Sequence, residues 1–196
     1  LGSFTNLTRS FVGTMSTLSQ EETIGFLKNL HTTIVDLRQS LNNISNWAVI
    51  ESEEMPLRRE SINCIQLAQE TVRELEPSLR QKELMVDYFI PDQQQVYADK
   101  IMVSLVLQNL LSNAIKFSPE DKTINVKIHI DKQAVKIVVA DQGMGIPKEE
   151  QEHLFGRFFR AKNATNIQGT GLGLNIVAKY LETLDGKITF ESELNT

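Results

Sequence analysis

At 196 residues, with 41% hydrophobic side chains and a net charge of -5, the chain has apolar material for one large or two small domains. The acidic balance gives no electrostatic ground for expecting nucleic acid or an anionic membrane surface as partner. The single cysteine, Cys64, allows no internal disulfide or paired-cysteine zinc site, which reads as cytoplasmic. No apolar stretch approaches the ~20 residues of a bilayer span and no signal peptide opens the sequence, so no membrane contact is expected within it. The chain starts inside an amphipathic pattern and stops inside a strand-like one, which reads as a fragment of a longer parent whose membrane contact, if it has any, lies outside this piece.

Apolar residues at Leu27, Leu30, Ile34, Leu37, Leu41, Ile44 and Ala48 alternate steps of three and four, the seam of a helix in a coiled-coil-like bundle. Leu1, Phe4, Phe11, Met15 and Leu18 carry the same rhythm upstream, interrupted at Thr8. Between the two runs Ser19 and Glu22 form a capping box that restarts a helix. Residues 1–50 are therefore predicted to be an antiparallel helical hairpin. One pair of such helices cannot cover both seams, so a homodimer completing a four-helix bundle is expected. His31 reads as a solvated or boundary residue beside the seam, and Trp47 as packing at the bundle end or bracing the next domain.

"ESEEMPLRRES", residues 51–61, breaks the rhythm with charge and Pro56 and is read as a linker. A second domain follows over 62–196. It should begin with a helix over 62–82, bent at Pro77, then short strands near "MVDYF" and "QVYAD". A helix from Lys100 to Phe117 is capped by Asp99. Strands "TINVKIHID" and "AVKIVVAD" come next, with Val126, Ile128 and Ile130 inward and Lys127 and His129 outward. A helix from Leu172 to Leu184 and a final strand "KITFESE" close an α/β sandwich, with helices on one face of a mixed sheet.

Residues 146–168 show neither helical nor strand periodicity, and an irregular stretch of that length in a compact domain is typically functional. Six of the ten glycines lie between 143 and 173, and five of them bracket the stretch as hinges, which suggests a lid over a flat, phosphate-bearing ligand. "GTGLGLNIV" puts three glycines at a helix start, where unpaired N–H groups favour an anion. Its glycine spacing and the loop before it match neither the dinucleotide fingerprint nor a P-loop. In "NLLSNAIKFSP" Asn109, Asn113 and Lys116 recur at helical steps of four and three and share a face, while Ala114 and Ile115 belong to the packed side. Asparagines in an otherwise apolar helix are costly without partners.

"NLLSNAIKFSP", "DQGMGIP", "LFGRFFR" and "GTGLGL", in this order, resemble the N, first-glycine, F and second-glycine boxes of sensor histidine kinases, members of the Bergerat-fold ATPase superfamily. The likeness covers roughly residues 55–196, and the opening hairpin resembles the family's dimerisation and histidine-phosphotransfer domain. The resemblance implies an α+β chain: helical hairpin, then Bergerat-type ATP-binding sandwich. It implies ATP and Mg2+ as cofactors, with Asn113 on the metal and Asn109 and Lys116 as catalytic residues near phosphates and metal. Asp141 would accept from the adenine amino group, with Gly143 and Gly145 lining the base. Arg160 and, more weakly, Lys162 would be lid cations facing phosphate. Gly169, Thr170, Gly171, Leu172 and Gly173 would form the phosphate-binding loop.

Gyrase-like, mismatch-repair and chaperone relatives carry a glutamate at the place of Asn109, and an amide cannot act as that base, so slow hydrolysis is expected. The resemblance further implies γ-phosphate transfer to a histidine, then to a response-regulator receiver domain. "LGSFTNL" reads as the end of the acceptor motif, which would put the acceptor histidine just before residue 1. His31 lacks the motif's arginine and proline and is not promoted in its place. A Bergerat-fold ATPase doing conformational work and a nucleotide-free dimerising scaffold remain as alternatives.

Overall fold

The computed structural model describes residues 19–51, 57–90, 95–130, 134–167 and 169–194. It divides into two units, residues 1–42 and 43–196. The first predicted helix of the hairpin, over residues 1–18, lies outside the described residues, as do the side chains of His31 and Trp47.

Helix α1 runs over Gln20–Glu51. Its start is the expected capping box: Glu22 N–H donates to Ser19 Oγ at 3.2 Å, and Ser19 N–H donates back to Glu22 Oε2 at 2.8 Å. These hydrogen bonds hold the Glu22 carboxyl below the ordinary carboxylate range. Along the seam, Leu27, Leu30, Ile34, Leu37, Leu41 and Ile44 are between 38% and 58% exposed.

In the second unit, β1 (Arg59–Asn63) leads into α2 (Cys64–Gln81), followed by β2 (Met85–Phe89), β3 (Gln95–Asp99) and α3 (Lys100–Phe117). Strands β4 (Thr123–Ile130) and β5 (Val135–Ala140) precede 3-10 turns at Lys148–His153 and Lys162–Ala164, and α4 spans Gly173–Thr183. A mixed three-stranded sheet is ordered β2-β4-β5, with β2 parallel and β5 antiparallel to β4. The alternation in β4 is as expected, with Ile124, Val126 and Ile128 buried and Lys127 and His129 exposed. These inward residues meet Leu107, Leu111, Ala114 and Ile115 of α3 and Cys64, Ala68 and Leu79 of α2, so both helices cover one face of the sheet. A second cluster joins Met102 and Val106 of α3 to Leu172, Ile176, Val177 and Tyr180 of the α4 region. Helix α3 thus packs on two sides.

Two departures have physical causes. The segment read as the linker's end and the start of a helix is β1, paired antiparallel with β3. "RESIN" offers one apolar residue, Ile62, so its strand character comes from backbone pairing rather than alternation. Asn63 then caps α2, its Oδ1 accepting from Gln66 N–H at 3.0 Å. "KITFESE", expected as a strand, is irregular and takes part in no ladder among the described residues. It is held instead through side chains: Ile188 on the second cluster, Phe190 edge-on to Phe155, and Ser192 Oγ accepting from Ile146 N–H at 2.9 Å. No described helix is long and apolar enough to cross a membrane.

Candidate functional site

Helix α3 has two apolar sides, and its remaining side carries Asn109, Asn113 and Lys116. Asp99 fixes where the helix begins: its buried carboxylate accepts from Met102 N–H at 3.0 Å and Arg58 N–H at 2.9 Å. Asn109 is 3% exposed and its Nδ2 donates to Leu105 O at 2.8 Å. The amide oxygen is therefore left toward α4: a β-carbon on Gly173 would lie 3.0 Å from Asn109 Oδ1 and 4.0 Å from Asn113 Nδ2. One turn further on, the Lys116 ammonium occupies the place a β-carbon on Gly169 would take. The glycines of "GTGLG" thus let main chain lie directly on the polar side of α3.

Gly171 has φ +70, in the left-handed region, and a β-carbon there would come within 2.6 Å of Phe158 C and 2.7 Å of Phe159 O. Helix α4 begins just after it, and its N-cap Leu172 makes no side-chain capping hydrogen bond. Leu172 is itself buried, so only its backbone can face a ligand, and Leu172 N–H donates to Thr170 Oγ1 at 3.4 Å. The first N–H groups of a helix have no intrahelical acceptor, and the helix dipole favours an anion beside them.

The "DQGMG" turn meets the other end of α3. Gly143 N–H donates to Asp141 Oδ1 at 2.8 Å, and a β-carbon on Gly143 would lie 3.0 Å from Phe117 O. Burial raises the Asp141 carboxyl above its ordinary pKa, and the Gly143 hydrogen bond opposes that shift. Gly145, at φ +67, is pressed against the Glu193 backbone, where any side chain would collide. α3 is the common wall, with the second glycine segment along it and the first at its C-terminal end.

The two cations expected on the lid, Arg160 and Lys162, bond to groups of the protein itself. Arg160 donates to Ala164 O at 2.8 Å, Thr165 O at 3.0 Å and Ile167 O, so in this conformation its guanidinium ties the lid to itself. Lys162 is largely exposed: its N–H donates to the buried Glu150 carboxylate at 2.9 Å, and its ammonium lies 3.7 Å from the same group. Asn175 Nδ2 donates to Phe155 O at 3.0 Å and Asn163 Nδ2 to Gly145 O at 2.9 Å, so both glycine segments are tied to the lid. Phe158 sits at φ 59, a strained conformation for an aromatic residue, and is exposed. Glu150, Asn163 and Asn175 were not singled out from sequence. Glu150 stands in "KEEQE" inside the stretch without periodicity, and no local pattern marks the other two.

A family model described as histidine kinase-, DNA gyrase B-, and HSP90-like ATPase matches residues 98–196, which include all four boxes. The chain belongs to this ATPase family. Sensory kinases are among its relatives. The adaptive-response sensory kinase SasA of Gloeothece citriformis is 37% identical over 131 residues, 66% of this chain and 33% of that protein. The catalytic domain of histidine kinase ThkA in a nucleotide-free form is 30% identical, with a TM-score of 0.58 over 65% of this chain and 82% of that one. ThkA in complex with response regulator protein TrrA shares the fold at 24% identity, with a TM-score of 0.63 over 92% of this chain and 51% of that one. The chain spans about a third of the length of the SasA relative. The ATPase domain is thus a Bergerat-type domain of the sensor histidine kinase kind.

Proposed function

We propose that this chain is the catalytic core of a sensor histidine kinase, which binds Mg-ATP and transfers the γ-phosphoryl group to a histidine for relay to a response-regulator aspartate. The observation that carries this reading is α3, whose polar side carries Asn109, Asn113 and Lys116 against the Gly169–Gly173 backbone while its C-terminal end seats the Asp141 turn. Asp141 accepts from the adenine amino group, and Gly143 and Gly145 keep side chains away from the base. Lys116 and the N–H groups before α4 neutralise the phosphates. The amide oxygens of Asn109 and Asn113 are hard donors suited to Mg2+, and the bound ion supplies charge neutralisation on the phosphates.

The Asn109 amide cannot deprotonate water, which favours transfer to another nucleophile over hydrolysis. In that step the imidazole nitrogen forms a bond to Pγ, the bond from Pγ to the bridging oxygen breaks, and ADP leaves. Arg160 and Lys162 come to the phosphates only if the lid exchanges its internal hydrogen bonds for the ligand. The exposed α1 seam supports a homodimer through the helical hairpin, and the ThkA–TrrA complex supports a receiver domain as partner. Incubation with γ-labelled ATP tests the reading, using this chain alone and a version extended upstream through a histidine. Acid-labile label on the extended form alone is expected, whereas rapid release of free phosphate by either form would favour an ATPase doing conformational work.

A further inference from the structure

Helix α2 ends at Gln81, and the next residue, Lys82, is joined to the far end of α3 by both main chain and side chain. Its ammonium donates to Ile115 O at 2.9 Å, Lys116 O at 2.8 Å and Ser118 O at 2.9 Å. Its own carbonyl accepts from Asp121 N–H at 3.1 Å. Three carbonyls match the three donors of an ammonium. The last carbonyls of a helix have no intrahelical donor, and a cation there also meets the negative end of the helix dipole. The Ser118 hydroxyl is buried without a hydrogen-bond partner, so that side chain does not hold the turn.

The carbonyl of Phe117 lies between two of those that Lys82 holds, and it is the atom against which Gly143 is seated. Fixing the peptides on either side fixes Phe117 O, and with it the platform under the Asp141 turn. The same turn carries the backbone of Lys116, whose ammonium lies on Gly169. We propose that Lys82 is a positioning residue of the nucleotide site: it sets the turn that joins the adenine acceptor Asp141 to the phosphate-facing Lys116. This inference rests on the nucleotide reading above for its ligand, and on the ligand-free geometry for its mechanism.

The test compares wild type, Lys82→Met and Lys82→Arg by amide hydrogen exchange without ligand and by titration with a non-hydrolysable ATP analogue. In Lys82→Met the Ser118 and Gly143 amides, bonded to Ala114 O at 3.0 Å and Asp141 Oδ1 at 2.8 Å, should exchange at least tenfold faster. Strand β4 amides should keep their protection. Affinity for the analogue should fall at least tenfold, and Lys82→Arg, which retains a multidentate cation, should restore most of both. If Lys82→Met fails to fold, Lys82→Gln takes its place. Unchanged exchange at Gly143, or equal loss of protection throughout β4, overturns the positioning role. Failure of the wild type to bind the analogue removes the nucleotide reading instead, while exchange at Gly143 still decides what Lys82 holds.

Discussion

Helix α1 and the α/β unit bury their apolar residues in opposite ways. In the α/β unit Ile124, Val126, Ile176 and Val177 are fully covered by neighbours from the same chain. On α1, Leu37 and Leu41 are 57% and 58% exposed although they stand in a regular seam. A helix with such a stripe is stabilised by burying it rather than by propensity alone. One region therefore carries its own core, and the other presents half of one.

The largest expected effect tests the uncovered half. Replacing Leu37 and Leu41 together by lysine removes four leucines from the proposed two-fold interface, at on the order of 1.5 kcal/mol or more each. Association should weaken by more than a thousandfold, read by sedimentation, with unfolding of the α/β unit unchanged. A shared loss of both would erase the contrast between the regions. Within the covered half, Ile176→Ala should cost about 2–5 kcal/mol in denaturant unfolding by leaving a cavity against Met102 and Val106.

Asp141→Asn sharpens the comparison inside the α/β unit, because there function works against stability. The folded state takes up the Asp141 proton more readily than the unfolded chain, since burial raises its pKa. Its contribution to stability is thus fully present below the ordinary carboxylate pKa and is lost as pH rises through the raised value. At neutral pH the asparagine variant should be as stable as wild type or more so. It should bind nucleotide roughly 10- to 100-fold more weakly, from loss of a charge-assisted hydrogen bond of about 1.5–3 kcal/mol. In the wild type, affinity should begin to fall on acidification at a pH above the usual carboxylate range. The smallest effect is Ser19→Ala, about 1 kcal/mol of α1 stability from its cap, measured by helix melting.

The sequence made legible those elements whose periodicity and caps act locally. α3, bounded by Asp99 and Ser118, and β4, with its strict alternation, are both where the pattern placed them. Strand β1 was hidden because a two-stranded ladder with one buried residue leaves no alternation to read. "KITFESE" misled for the converse reason: it alternates, yet a strand needs a partner that no local pattern supplies. At the site, the glycine spacing announced close main-chain approach, which Gly169 on Lys116 and Gly173 on Asn109 display. Arg160 and Lys82 were opaque, because what a long cation bonds to depends on carbonyls that only the fold brings near.

The most direct measurement is an amide and side-chain chemical-shift titration of this chain with a non-hydrolysable ATP analogue and Mg2+. The Asn113 side chain, Gly143 and the Gly169–Gly173 amides should shift along one isotherm with a single dissociation constant. Shifts confined to one of these groups, or following separate isotherms, would contradict a shared site for base and phosphates along α3.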